Sequence, residues 1–359
     1  MRKLASIQVI DSLTPIKGAD RIETARVLGW NVVVQKDLYE VGDKVVYFEI
    51  DSILPEREWS EFLRERHFKV KTIRLRKQIS QGLCIPIGEC CKKSHWLLPV
   101  GWDMTEELGV TKYDPEAAIE NNSSGKKVIK FKWLLKSKLG RRIHAYFFPK
   151  EKKGWPEFIP KTDEERVQNI PKVGKNVAGK KMYYTEKLDG QSATYFYNLA
   201  TKTFGVCSRN RSIYHRNKEA NSWWSIADDL NLELTLKNWC EANNRSIAIQ
   251  GEIVGPGIQK NHYKLDIKEF FLYGIYDIDQ KKYFNIGEKL AWLEQNVHIM
   301  HIPIISFRQF PEDYDYVALA DGQSTLGGMS REGVVVRAVE DDGHSFKAIS
   351  NEYLMKEDM

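Results

Sequence analysis

Lys187 stands in Thr185-Glu186-Lys187-Leu188-Asp189-Gly190, a setting that can make an amine a nucleophile. The residues before it, Tyr183 to Lys187, predict a strand that ends on the lysine. Asp189-Gly190 predicts a turn whose backbone a phosphate can approach. To capture a nucleotide as a phosphoramidate the amine must be neutral, so its pKa must fall through desolvation, neighbouring cations or a metal. Lys347 is a candidate for that neighbouring cation, and with a divalent ion it could offset charge developing on the phosphate. The Lys-x-Asp-Gly tetrapeptide is weak alone, since average composition yields one in on the order of one chain in ten.

Two carboxylates lie where strands are expected to end or begin. Glu252 follows an apolar run in Gln250-Gly251-Glu252-Ile253-Val254-Gly255, and Glu332 precedes Gly333-Val334-Val335-Val336-Arg337. Such acids could hold a ribose hydroxyl or a divalent metal, or be ordinary surface charges. Phe271 and Tyr273 are core aromatics by default, and one ring stacked on a purine is the functional alternative. No Gly-x-x-x-x-Gly-Lys-Ser/Thr loop occurs, so nucleotide use would run through the lysine. The eight histidines form no His-Glu-x-x-His pattern.

Positioning these groups needs a scaffold. Residues 1 to about 90 read as short strands, at Gly29–Val34, Lys44–Ile50, Phe68–Leu75 and Gly82–Ile87, with a bulge expected near Thr72. Five or so strands in that length predict a small closed barrel, of OB type or SH3-like. From Trp155 onward, strands at Tyr183–Lys187, Ser192–Tyr197, Ile247–Val254, Phe270–Tyr276, Gly333–Arg337 and Ser345–Ile349 mix with a helix at Ser225–Asn243. That mixture predicts an α+β domain with antiparallel sheets. Between the two parts, Asn121-Asn122-Ser123-Ser124-Gly125 reads as a break and Lys130–Ile143 as a basic helix.

At 359 residues, with 42% hydrophobic and 29% charged, the chain predicts two globular domains. No apolar run approaches bilayer length and no signal region opens it, so the cytoplasm or nucleus is expected. Its five cysteines lack zinc-ligand spacing and are expected to be packed thiols. The net charge of +5 is uneven: Lys126 to Lys153 holds nine lysines and two arginines against Glu151 alone. Arg64 to Lys77 adds seven basic residues against Glu65. With Trp133, Tyr146, Phe147 and Phe148 interleaved, the first run suits phosphate-backbone contact and some stacking, or else a solvated face.

Taken in order, these motifs resemble the covalent nucleotidyltransferase superfamily of ATP-dependent ligases and mRNA capping enzymes. Lys187-Leu188-Asp189-Gly190, Ser208-Arg209-Asn210, Gln250-Gly251-Glu252, Phe271-Leu272-Tyr273-Gly274, Glu332 to Arg337 and Phe346 to Asn351 follow the family's order. Within it, Gly29 to Pro55 and Pro160 to Asn169 look like RNA ligases of the Deinococcus and Naegleria type. That resemblance implies an OB domain over 1–120, a basic linker over 121–154 and a nucleotidyltransferase (ATP-grasp-like ligase) domain over 155–359. It also implies chemistry in three steps, through lysyl-AMP on Lys187 and an adenylylated 5′ end, to a sealed nick with RNA preferred at the 3′-hydroxyl. Glu252 and Arg209 would contact the nucleotide, Phe271 would stack on adenine, and Lys347 would bind the α-phosphate. Arg166 would lie near the phosphates, Glu186 beside the nucleotide, and Glu332 with Glu252 would hold Mg2+ or Mn2+. The implied partners are ATP and a nicked RNA duplex or RNA/DNA hybrid, bound by a monomer without membrane contact.

Two positions depart from the family pattern. Ser192 stands where DNA ligases carry an arginine, and Ile349 where a second lysine often follows Lys347. A DNA ligase or GTP-dependent capping enzyme would be expected to need a further C-terminal OB domain, and 12 residues follow Lys347. A non-catalytic nucleic-acid-binding protein would need none of Lys187, Glu252, Glu332 and Lys347.

Overall fold

The computed structural model describes residues 3–113, 154–213 and 221–357. The basic run Lys126–Lys153, with the helix expected at Lys130–Ile143, lies outside them. In the N-terminal part, strand Lys44–Phe48 pairs antiparallel with Ala5–Val9 and Leu83–Pro86. Its successive side chains point to opposite faces, and both faces are covered. Val46 and Phe48 enter a core with Ile7, Ile85 and Met104, while Val45 and Tyr47 enter a second with Trp30, Val32 and Ile10. A sheet of Ser12–Pro15, Ile22–Val27 and Trp30–Gln35, a hairpin of Thr72–Leu75 with Gln78–Gln81, and the pair Ser52–Ile53 with Thr111–Lys112 complete this part.

The strand expected from Phe68 is shorter than the pattern suggested. His67 and Phe68 have left-handed backbone (φ 51 and 57) after the 3-10 helix Glu58–Arg66, and the strand runs only over Thr72–Leu75. The slip in apolar phase near Thr72 marks where the strand begins, and is no bulge.

The C-terminal part holds two sheets. One orders Ile304–Arg308, Met182–Lys187, Gly333–Ala338 and Ser345–Ile349, all antiparallel. The other orders Thr203–Cys207, Gln191–Asn198, Ile247–Val254, Glu269–Asp277 and Lys282–Tyr283, with Met300–His301 parallel to Glu269–Asp277. Asp189-Gly190 is therefore no hairpin turn: the chain leaves one sheet at Lys187 and enters the other at Gln191. Gly190 is required by that crossing, because a Cβ there would lie 2.4 Å from the Ile253 carbonyl oxygen and 2.8 Å from Glu252 Cγ. The helix expected over Ser225–Asn243 is two, Ser222–Asp229 and Leu232–Asn243, broken where Asn231 turns left-handed (φ 48). The architecture is α+β.

The segment before the lysine strand joins the two parts. Gly29 N–H donates to the Gln168 carbonyl (2.8 Å), Trp30 Nε1 to Asn169 Oδ1 (2.6 Å), and Asn169 Nδ2 to Glu49 Oε1 (2.5 Å). All five cysteines are free thiols, and among the described residues no helix is long and apolar enough to cross a membrane.

Candidate active site

Strand alternation decides which side chains share a face. In the four-stranded sheet Lys187 lies opposite Gly333, Thr185 opposite Val335, and Val335 opposite Lys347. One face thus carries Lys187, Val335, Arg337 and Lys347, and all four line a cleft of about 570 Å³. The other face sends Met182, Tyr184, Val334, Val336 and Phe346 into a core. The second sheet contributes Glu252 and Tyr273, the loop after Thr203–Cys207 contributes Arg209, and the barrel contributes Lys112.

Lys187 Nζ donates to Glu332 Oε2 at 2.7 Å, as the Lys187–Gly333 register requires of the residue preceding Gly333. Burial works against the lysine's charge, but Glu332 and Glu252 outweigh it and hold its pKa above the ordinary value. The lowered pKa expected of this amine is therefore not present in this arrangement, because the nearest charges are acids. Burial pushes the Glu252 carboxyl up to about 8, with Lys187 opposing and Glu332 and Asp189 adding. Burial draws Lys347 down to about 8 against the pull of Asp163. Asp163 itself is held well below the usual carboxylate range: burial opposes its charge, and Lys347, Lys112 and Arg209 overcome that. Asp189 anchors the crossing, its Oδ2 accepting from Tyr353 Oη (2.5 Å) and its N–H donating to Tyr263 Oη (2.6 Å).

Lys187, Glu252, Glu332, Lys347 and Arg209 are thus brought together, and three other expected residues are not at the cleft surface. Glu186 falls on the opposite strand face, where its Oε2 accepts from Thr325 N–H (2.8 Å) and Oγ1 (2.7 Å). Arg166 turns toward the barrel, donating to Asp51 Oδ2 (3.1 Å) with its guanidinium 5.7 Å from the Trp30 ring centre. Its backbone forms a parallel bridge with Lys347, which sets it beside that residue at the edge of the sheet. Phe271 packs with Leu188, Val254 and Ile302. Tyr273 faces the cleft instead. Gln250 pairs with Gly274 and Gly251 with Leu272, so Tyr273 is the extra residue of a bulge, a device that re-aims a side chain.

Known proteins with this architecture can be compared directly. Residues 4–87 match a family model for an OB-fold domain, and 180–349 match the RNA ligase family model. Among solved structures, Naegleria gruberi RNA ligase with PPi superimposes with a TM-score of 0.82 at 34% identity, covering 100% of both chains. A mutant of that enzyme with ATP and Mn gives 0.81 at 34% identity over 99% of this chain and 98% of the other. The chain belongs to the RNA ligase family. A sequence comparison with curated proteins gave no match.

With family membership established, the barrel is the OB domain and the reading as a merely binding protein falls away. In this RNA ligase, Glu252 and Glu332 flank the lysine ammonium. Among the described residues no group of three or more His, Cys, Asp or Glu side chains forms a metal cage. Two carboxylates fit Mg2+ or Mn2+, which take remaining ligands from phosphate and water. Sequence reasoning missed Asp163 and Lys112. Only the fold brings Lys112 Nζ to Asp163 Oδ2 at 2.7 Å, across 51 residues. A glycine interrupting the apolar run at Gly274 was the available signal for the bulge at Tyr273.

Proposed function

We propose that this ligase uses ATP and a divalent ion to seal 3′-hydroxyl/5′-phosphate nicks in duplex RNA or RNA/DNA hybrids, with RNA at the 3′-hydroxyl side. Lys187 Nζ, once its ammonium has lost a proton to water, attacks the α-phosphorus of ATP, the N–P bond forming as the bond to the β-phosphate oxygen breaks and pyrophosphate leaves. AMP then passes to the RNA 5′-phosphate, and attack by the 3′-hydroxyl closes the phosphodiester and releases AMP. The single observation that carries this reading is Lys187 in a cleft with Glu332 at 2.7 Å and Glu252, Arg209 and Lys347 around it.

Glu332 orients the amine, and Glu252 with Glu332 would hold the divalent ion. That ion would supply the positive charge that lowers the lysine pKa and screens the phosphates. Lys347 and Arg209 bind phosphate oxygens, while the segment of Arg166 supports Lys347 from the sheet edge beside it. Tyr273 takes the purine-stacking role first given to Phe271, with Val335 across the cleft. Glu186 fixes the lysine strand through Thr325. The enzyme acts as a monomer of three segments, 1–120, 121–154 and 155–359, in a compartment that holds RNA, the cytoplasm or nucleus.

Incubation with α-labelled ATP and Mn2+ or Mg2+ is expected to label the protein, and Lys187→Ala to abolish the label. Label surviving in Lys187→Ala would show a different nucleophile, and label from GTP but not ATP would move the reading to capping.

A further inference from the structure

Behind the cleft lies a lysine that the three chemical steps do not use. Lys289, in helix Ile286–Gln295, is fully buried, although burial and a place near a helix N-terminus both disfavour a cation. Its Nζ donates to Asp342 Oδ2 (2.5 Å), to Tyr183 Oη (2.9 Å) and to the Tyr273 carbonyl (2.8 Å). An ammonium has three N–H groups, and these bonds use all of them. Asp342, in the turn between Gly333–Ala338 and Ser345–Ile349, also accepts from Tyr183 Oη. Arg337 acts on the same group and is itself held by Glu164, whose Oε1 accepts from its Nη2 (3.1 Å). His301 is neutral beside them, because burial, with Lys289 and Arg337 adding, draws its pKa down to about 3.

The bond to Tyr273 has its reason in the strand. Tyr273 is the extra residue of the bulge and stands outside the register with Ile247–Val254. A buried carbonyl set outside a ladder needs another donor, and Lys289 supplies it. At the far end of the same residue, Tyr273 Oη donates to Thr162 Oγ1 (2.9 Å). The residue is thus held at both ends with its ring in the cleft. Tyr183 shares a strand face with Lys187, so the ammonium also joins the sheet of the nucleophile to the sheet of the ring. A buried ion pair can often be replaced by apolar residues at little cost, so stability alone gives no reason for this one.

We propose that Lys289 is a positioning residue for nucleotide binding: through the Tyr273 carbonyl it sets the bulge, and the bulge sets the ring against the purine. This rests on the reading of Tyr273 as the stacking ring, and it assigns the group that holds that ring in place. The bland rival is that Lys289 only neutralises Asp342 inside the fold.

Calorimetric titration of the full chain with AMP, in chelator, separates the two. Asp342→Asn removes the ion pair, while Lys289, as ammonium or amine, keeps its bond to the Tyr273 carbonyl. Its AMP affinity should stay near wild type. Lys289→Met combined with Asp342→Asn removes that bond without leaving a buried carboxylate unpaired, and should bind AMP about tenfold more weakly. Tyr273→Leu should also lose about tenfold. All three substitutions together should lose about tenfold rather than about a hundredfold, because Lys289 acts through Tyr273. Thermal melts check that each variant is folded at the titration temperature. Should the Lys289→Met/Asp342→Asn variant not fold, Asp342→Asn alone decides, since weakened AMP binding there overturns the proposal. Additive losses in the triple variant overturn it as well. Unchanged affinity in Lys289→Met/Asp342→Asn, with Tyr273→Leu impaired, defeats this inference alone. Unchanged affinity in Tyr273→Leu defeats the stacking reading and this inference with it.

Discussion

At the scale of single residues, the nucleophile is protonated by its own surroundings. Glu332 and Glu252 raise the pKa of Lys187, so an ammonium sits where a neutral amine must act. Burial, with Glu332 and Asp189 adding, makes Glu252 bind a proton up to about 8, against 4.5 for an ordinary glutamate. Its folded-state pKa is raised, so its contribution to stability is fully present below about 4.5 and is lost as pH rises through about 8. In chelator, Glu252→Gln should therefore match wild type near pH 5 and melt a few degrees higher above pH 8, and with Mn2+ supplied its lysine labelling should be abolished. A melting difference independent of pH would refute the assignment. Tyr273→Leu should raise the KM for ATP in lysine labelling about tenfold, as loss of one stacked ring implies, and lower the melting point only modestly through loss of its bond to Thr162. Phe271→Leu should do the reverse, lowering the midpoint with little change in KM. The motif residues were legible because each stands in a local pattern at or near a strand end and together they keep the family's order along the chain. Asp163 and Lys112 were not, since nothing local to either predicts that they meet.

At the scale of elements, the site depends on where strands change partners. The sequence marked a change of direction at Asp189-Gly190, and strand type on both sides of it, but could not say which sheet each strand joins. Pairing partners are chosen by contacts far apart in sequence: Lys187 meets Gly333, and Gln191 meets Ile253. The split at Asn231 was hidden for another reason. Apolar spacing continues across it, with Ile226, Leu232 and Leu236 all in one core, so periodicity alone reads through the break. The seam between barrel and ligase domain depends on one glycine. A Cβ on Gly29 would lie 2.6 Å from Gln168 Cα, where the Gly29 N–H donates to the Gln168 carbonyl. Gly29→Ala should therefore force the seam apart, lowering the melting midpoint by about 5 °C and strand sealing at least tenfold. Gly88→Ala in the short helix Ile87–Cys90, where a Cβ meets only Trp96 at 3.8 Å, is the control that should do neither. Equal behaviour of the two variants in calorimetry and sealing assays would remove the seam from the argument.

At the scale of the whole molecule, the basic hairpin of the barrel is linked to the lysine through one helix. Helix Asn351–Glu357 packs against strand Thr72–Leu75, and its Tyr353 Oη donates to Asp189 Oδ2 (2.5 Å) in the turn after Lys187. Arg74, Arg76 and Lys77 at the hairpin's end are exposed. A duplex whose nick lies at the cleft would meet these cations with its flanking phosphates. Each phosphate neutralised by a cation releases counterions, so affinity falls with salt at a slope near 0.9 per contact. The hairpin's two turn residues allow the charge to be removed without disturbing the shape. Arg76 and Lys77 both have left-handed backbone (φ 48 and 70) between Leu75 and its partner Gln78, the conformation that Asn-Gly favours. Arg76→Asn combined with Lys77→Gly should thus keep the hairpin and lower the slope of log affinity for nicked duplex against log salt by about 2. Labelling of Lys187 by ATP should be unchanged, because neither residue reaches the cleft. Fluorescence anisotropy from about 50 to 200 mM salt measures the slope. A slope equal to wild type would mean that the duplex crosses the protein elsewhere.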